Sequence, residues 1–366
     1  MRQVLILGGT AWLGREIAHA ALAHGAEVTC LARGNSGEVA SGARLVIADR
    51  AAPGAYDALL DREWDDVIEI SYDLGFVQGA LAAFAGRARH WTLVSSVSVY
   101  ADDTTPGADE RADLVEPTDL ANYAHAKVVA ERATQDAAPQ RLLIARPGLI
   151  AGPGDGSDRF GYWPGRFAAA ACGPSTATTP STPSAANTPS AASTSATTAP
   201  QHTQVLLPDA RDRATQAIDV RDLADWIVRA GEAGDTGVVN AVGDVHELVE
   251  VLDLAAEAAG FAGEWVVASD ARLIAAGVHY WAGPHSLPLW LPNEARGFMR
   301  YKNDAYRAHG GMLRPLAATI ADVRDDERER GLDRPRRSGL TRAEERAVIV
   351  ALAAPAGDES GTHPER

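Results

Sequence analysis

The chain has 366 residues, 46% of them hydrophobic, and a net charge of −15. That length allows one large or two modest domains around a buried core, and the acidic balance argues against nucleic acid as a partner, because phosphate binding needs a net basic face. Two cysteines, Cys30 and Cys172, make no disulfide framework and fit a reducing compartment. No apolar run is long enough for a membrane span, and the run at Val4 to Leu7 is too short for a signal peptide, so a cytoplasmic protein without a membrane partner is expected.

The first half reads as alternating strands and helices. Val4 to Leu7 is a continuous apolar run, as expected of a strand buried on both faces. Helical periodicity follows over Trp12 to Ala23. Further strands are expected at Glu27–Leu31, Arg44–Ala48, Asp66–Ile70, Trp91–Ser95 and Arg141–Arg146, with helices over Phe76–Phe84 and Leu120–Asp136. Repeated strand–helix–strand units imply an α/β fold, a doubly wound parallel sheet of the Rossmann type. Ligands of such sheets bind at the carboxyl ends of the strands.

The chemistry-bearing residues fall at those ends. After the first strand comes Gly8-Gly9-Thr10-Ala11-Trp12-Leu13-Gly14, a turn opening a helix whose amides and dipole suit a pyrophosphate. Small residues at 8, 11 and 14 let the backbone approach a ligand and the helix approach its strand. The second strand ends in Ala32-Arg33, with no acid to hold a ribose 2′-hydroxyl; an arginine there favours a 2′-phosphate, so NADP is expected over NAD. Arg33 also fits a solvated surface position. Asp49-Arg50 ends the third strand, at the expected adenine edge. Ser95-Ser96-Val97-Ser98-Val99-Tyr100 ends the fifth, where a hydroxyl can bond a substrate carbonyl.

Of 34 basic residues only Lys127 and Lys302 are lysine. A lysine ammonium is compact and its proton can move, whereas a guanidinium is a plane that stays charged. Tyr123 precedes Lys127 by one helical turn, so both share a face, and a cation there makes a phenol more acidic.

With Arg146-Pro147-Gly148-Leu149-Ile150-Ala151-Gly152-Pro153, these motifs resemble the extended short-chain dehydrogenase/reductase superfamily, in its NAD-dependent epimerase/dehydratase branch. Ala217 to Ala224, Gly237 to Asn240 and Leu313-Arg314-Pro315 resemble later landmarks of the same family, so the resemblance covers about residues 3 to 325. It implies that Tyr123 is the general acid/base, that Lys127 lowers its pKa and holds the nicotinamide ribose, and that Ser96 polarises the substrate oxygen. It implies cofactor contacts at Gly8, Thr10, Ala11, Trp12, Leu13, Gly14, Arg33, Asp49, Arg50, Ser71, Tyr123, Lys127, Pro147 and Leu149. Dimers are frequent in the family.

Departures from the family pattern narrow the chemistry. Relatives that dehydrate sugars resemble Thr-Asp-Glu where this chain has Ser96-Val97-Ser98, so the acid for eliminating water is missing. Many nucleotide-sugar epimerases resemble Asn at the position of Leu149 and Arg near Thr215. The expected activity is therefore a reductase acting on a smaller or less charged carbonyl or alcohol, with a nucleotide-sugar epimerase or a non-catalytic dinucleotide-binding sensor as the alternatives.

The remaining chain is expected to shape the pocket. Residues 1–172 with 204–245 would form the dinucleotide-binding domain and 246–330 the substrate-binding portion. Residues 173–203, nearly all Ser, Thr, Ala and Pro, read as a disordered insertion. Residues 331–366 read as a helix with a Thr341/Glu344 capping box, followed by a disordered tail. Phe160 to Pro164, His279 to His285 and Leu287 to Pro292 are the candidate substrate walls. His279 and His285 lack partners at metal-ligand spacing, and Lys302 reads as a surface charge.

Overall fold

The computed structural model describes residues 1–172 and 204–354; the insertion at 173–203 and the tail at 355–366 lie outside the described residues. The first half alternates as its periodicity predicts: β1 (Gln3–Leu7), α1 (Trp12–Ala23), β2 (Glu27–Ala32), β3 (Arg44–Ile47), β4 (Trp64–Glu69), α2 (Leu74–Phe84), β5 (Ala88–Val94), α3 (Tyr123–Ala137) and β6 (Leu142–Ala145). The largest shift that matters is at α3, which starts at Tyr123 rather than Leu120. Asn122 caps it, its side-chain oxygen accepting from the amides of Ala124 at 2.9 Å and His125 at 3.4 Å, and a cap of that kind fixes where helical backbone begins.

The chain continues through β7 (Leu149–Ala151), α4 (Tyr162–Ala171), β8 (Gln204–Pro208), β9 (Ala214–Asp219), α5 (Val220–Ala233) and β10 (Gly237–Val239). Seven strands form one parallel sheet in the order β10-β6-β5-β4-β1-β2-β3. From β1 the chain moves to β2 on one side and returns to β4 on the other, so the order reverses at β1. A crevice opens at such a reversal, between helices that leave in opposite directions.

Side-chain alternation along β1 explains the layers. Val4 and Ile6 face α1 and α5, packing with Ile17, Ala21, Leu223 and Trp226. Leu5 and Leu7 face α2 and α3, packing with Val77, Phe84 and Ala130. Successive strand residues point to opposite faces, so a strand covered on both sides must be apolar throughout.

The C-terminal part comprises β11 (Val245–Glu247), α6 (Leu248–Ala259), β12 (Glu264–Ala268), α7 (Asp270–Ala275), β13 (His279–Trp281), β14 (Ser286–Pro288), α8 (Asp304–Ala308), α9 (Leu316–Arg330) and α10 (Arg342–Ala353). Here α4 packs with α6 and α9 around Trp163, Phe167, Leu252, Trp290 and Ile320. The capping box is present: Thr341 Oγ accepts from the Glu344 amide at 3.2 Å and the Glu344 carboxylate accepts from the Thr341 amide at 2.7 Å. Two second-half segments singled out in the sequence meet each other, Arg314 donating to Asp222 at 2.9 Å, and Asp219 caps α5. Among the described residues no helix is long and apolar enough to cross a membrane.

A buried ion pair fixes α3 against the sheet. Arg146, just after β6, donates to both oxygens of Glu131 on α3, at 2.9 and 2.6 Å, and to the Tyr100 hydroxyl at 3.1 Å. That hydroxyl donates to Asn240 at 2.6 Å. Removing one partner of such a pair strands the other charge without water. Arg146→Met should therefore lose about 3–5 kcal/mol in urea unfolding, and the double variant Arg146→Met/Glu131→Leu should recover most of it. Equal losses in both would show that packing, rather than the stranded charge, sets the cost.

Candidate active site

Two cavities open along the carboxyl edge of the sheet and share Ile70 and Tyr72 as a common wall. The outer one, of about 370 Å³, is bounded by the β1–α1 turn and the ends of β2 and β3. Gly8 has φ +116, a value open to glycine at no steric cost. A Cβ on Gly14 would lie 2.4 Å from the Gly8 carbonyl oxygen, so the helix reaches its strand only because that atom is missing. Ala11, the N-cap of α1, makes no side-chain cap bond, and the first turn holds no acid. The end of α1 thus offers amides and a positive dipole to an anion. These residues fit a dinucleotide pyrophosphate.

Gly8, Thr10, Ala11, Arg33, Asp49, Arg50 and Ser71 all line this cavity. Gly14 does not; it is needed for packing rather than contact. Arg33 is exposed. Arg50, expected at the adenine edge, is turned inward: its guanidinium forms a bidentate pair with the buried Glu69 and donates to the Phe76 carbonyl at 2.6 Å. It cannot offer those donors to a nucleotide, because a desolvated carboxylate already holds them. Nothing in local sequence marks Glu69, at the end of β4, as its partner.

The inner cavity, of about 410 Å³, brings together Trp12, Leu13, Ser96, Tyr123, Lys127, Pro147 and Leu149. Lys127 is 2% exposed. Its ammonium donates to the Val94 carbonyl at 2.6 Å and the Ile70 carbonyl at 3.3 Å, the chain ends of β5 and β4. A compact ammonium fits between two converging carbonyls, and a planar guanidinium does not. Burial pulls its pKa down to about 8, against the pull of Glu69 and Glu131.

Tyr123 is 43% exposed at the first turn of α3, with its ring edge-on to Tyr72 at 5.0 Å. Its phenol is not acidified as the Tyr/Lys spacing implies. Desolvation by the protein packed around the half-exposed ring pushes it above its ordinary value, and the Ser96 hydroxyl and Arg159 draw it down without reversing the shift. Lys127 Nζ stands 5.8 Å from the ring centroid and is turned to the carbonyls. Ser96 Oγ caps the short turn at Val97–Val99, accepting from the Ser98 amide at 3.1 Å and donating to the Ser98 hydroxyl at 3.1 Å.

The expected substrate walls differ. Of the three aromatic segments only Trp281 reaches the cavity; Phe160, Tyr162, Trp163, Leu287, Leu289 and Trp290 are buried in the C-terminal core. Phe298, Met299 and Tyr301 supply the wall instead. Aromatic clustering marks core and pocket alike, so sequence does not separate them. Two charged lining residues, Asp155 and Arg159, were not singled out, because no motif spacing attends them. Lys302 is exposed, and among the described residues no cluster of three or more His, Cys, Asp or Glu could hold a metal.

Residues 4–171 match the model of the NAD dependent epimerase/dehydratase family. That stretch, which holds β1 to β6, the turn and the Tyr/Lys helix, is similar to the family. Solved structures agree in fold. A presumed epimerase of Burkholderia cenocepacia J2315 is 22% identical, with TM-score 0.66 over 90% of this chain and 98% of its own. UDP-N-acetylglucosamine 4-epimerase from Bacillus cereus is 15% identical, with TM-score 0.59 over 90% and 100%. RMD from Pseudomonas aeruginosa, solved with NADPH, is 16% identical, with TM-score 0.59 over 90% and 100%. Among curated proteins no sequence matches significantly.

The buried lysine ties stability to pH. Lys127 binds its proton less tightly in the folded chain, at about 8, than at its ordinary 10.5. Between those values the unfolded chain holds more protons, so stability should rise with pH over that window. Urea unfolding at about pH 7.5 and about pH 10 should show the wild type gaining on Lys127→Met by at least about 1 kcal/mol. Parallel changes in both proteins would mean that the ammonium is not desolvated.

Proposed function

We propose that this protein is an NAD(P)-dependent oxidoreductase that moves a hydride to or from a carbonyl or alcohol carbon of a small molecule. The observation that carries the reading is the convergence of Ser96, Tyr123 and Lys127 on one cavity, beside a second cavity bounded by an uncapped helix end. A bound nicotinamide dinucleotide would supply or accept the hydride; the protein would supply position and proton.

The roles follow from the geometry. A phenol held above its ordinary pKa is protonated at neutral pH, so Tyr123 is ready to donate to the oxygen of a carbonyl under reduction. Ser96, beside it, would hydrogen-bond the same oxygen. The Lys127 ammonium, with two of its three donors on the strand-end carbonyls, would offer the third to a ribose hydroxyl. Pro147 and Leu149 would face the nicotinamide.

Arg33 at the end of β2, with no acid beside it, supports NADP over NAD. The likeness in fold to a UDP-N-acetylglucosamine 4-epimerase favours a second reading, an epimerase that oxidises and re-reduces one carbon. The apolar Leu149 in the cavity wall favours the reductase.

Tyr123→Phe should reduce turnover at least 100-fold, the scale of a lost general acid, with NADPH affinity nearly unchanged in a fluorescence titration. Retained turnover would remove Tyr123 from the role. Arg33→Ala should weaken NADPH binding about 10- to 100-fold, as expected for lost charge-assisted bonds to a phosphate, with little effect on NADH. Equal losses for both cofactors would assign Arg33 to the fold.

A further inference from the structure

One cation in the inner cavity has no role in the reaction proposed above. Arg159 comes from the loop between β7 and α4, and its guanidinium carbon lies 5.1 Å from the centre of the Trp281 ring. Its Nε donates to Ser157 Oγ at 3.3 Å. Among the described residues no ion pair engages it. Asp155, the acid in the same wall, is turned to Ser157, accepting from its amide at 2.7 Å and its hydroxyl at 2.8 Å. Lys127, the other cation there, is held by carbonyls. Arg159 therefore faces the cavity with free N–H donors in a setting where burial depresses its pKa. Asp155 acts on that guanidinium through space without pairing with it, so an anion entering the cavity would meet unengaged donors.

The placement is built at a cost. Asp158, immediately before Arg159, has φ +59, and Trp281, beneath the guanidinium, has φ +68. Non-glycine residues in the left-handed region cost of order 1–3 kcal/mol each and persist only where surroundings hold them. Asp158 is held by Arg334 and by the Arg337 amide, which donates to its carboxylate at 2.8 Å. Trp281 is held by its own amide, donating to the Trp290 carbonyl at 2.9 Å, and by Phe298, edge-on at 5.4 Å. Strained backbone on both sides of one side chain, in a cavity, aims that side chain.

We propose that Arg159, seated on Trp281, binds the carboxylate of a small oxo- or hydroxy-acid substrate and so sets its carbonyl carbon toward Tyr123 and Ser96. This rests on the reductase reading and narrows its substrate class. A planar fork of donors matches a carboxylate in two parallel bonds. A single negative charge is indicated because Asp155 shares the wall and would repel a doubly charged phosphate. The substrate is then small and singly charged, which narrows the expectation of a smaller or less charged compound than a nucleotide sugar.

The test separates anion binding from turnover. Benzoate, benzamide and inorganic phosphate are titrated calorimetrically into the whole chain, and NADPH oxidation is followed with 4-carboxybenzaldehyde and with its methyl ester. The wild type should bind benzoate in preference to benzamide and favour the acid over the ester at least 10-fold in kcat/KM. Arg159→Gln should weaken benzoate binding about 10- to 100-fold, the scale of a lost charge-assisted pair, and bring the acid/ester ratio close to one, chiefly through KM. Arg159→Lys, which keeps charge but not the fork, should fall between, and both variants should keep a cooperative thermal transition.

Unchanged benzoate binding in Arg159→Gln would overturn the inference, as would phosphate outcompeting benzoate at the wild-type site. Reduction of both aldehydes without preference would also overturn it and leave the reductase reading standing. Arg159-dependent benzoate binding with no reduction of any carbonyl would support the anion site and count against the reductase reading.

Discussion

The ammonium of Lys127 is the constraint on which the site depends. A charge with 2% exposure must be hydrogen-bonded or it destabilises the fold. It is satisfied by the carbonyls at the ends of β4 and β5, and those carbonyls are available only because the two strands stop side by side at the crevice. The same bonds hold the first turns of α3 over the strand ends, which brings Tyr123 to the cavity mouth opposite Ser96. Arg146 and Glu131 fix the next turn of the helix. Two buried polar links from one helix therefore fix Tyr123 over the carboxyl edge of a parallel sheet.

Much of this was legible in the residues. The strand–helix alternation was readable because a strand covered on both faces must be continuously apolar, as Val4 to Leu7 is, and because the helices keep a period near four. The scarcity of lysine pointed to Lys127, and the reason is visible in the narrow gap between two carbonyls. The turn at Gly8 to Gly14 was readable as a close approach of helix and strand because steric need for a missing Cβ, at Gly14 above all, leaves a mark in composition.

What was not legible depends on tertiary partners. Arg50 looked like a nucleotide contact because its place just beyond a strand end is known from local order; its pairing with Glu69 joins the turn after β3 to the end of β4. The acidifying effect of Lys127 on Tyr123 was inferred from helical spacing, but the direction in which an ammonium points is set by its hydrogen bonds. Arg159 carried no signal at all. Its importance comes from left-handed backbone at Asp158 and Trp281, which no side-chain pattern announces. Aromatic segments were assigned to the pocket when most belong to the core, since both environments bury rings for the same hydrophobic reason.

The central claim is that the Tyr123–Lys127 crevice performs hydride transfer. It is tested most directly by mixing the protein with NADPH deuterated at the transferring position and a panel of aldehydes, ketones and oxo-acids, then measuring product deuteration by mass spectrometry. The account predicts deuterium on the carbinol carbon of at least one product, with stoichiometric NADPH oxidation. Tight NADPH binding with no labelled product from any carbonyl would contradict it and leave a dinucleotide-binding protein without this chemistry.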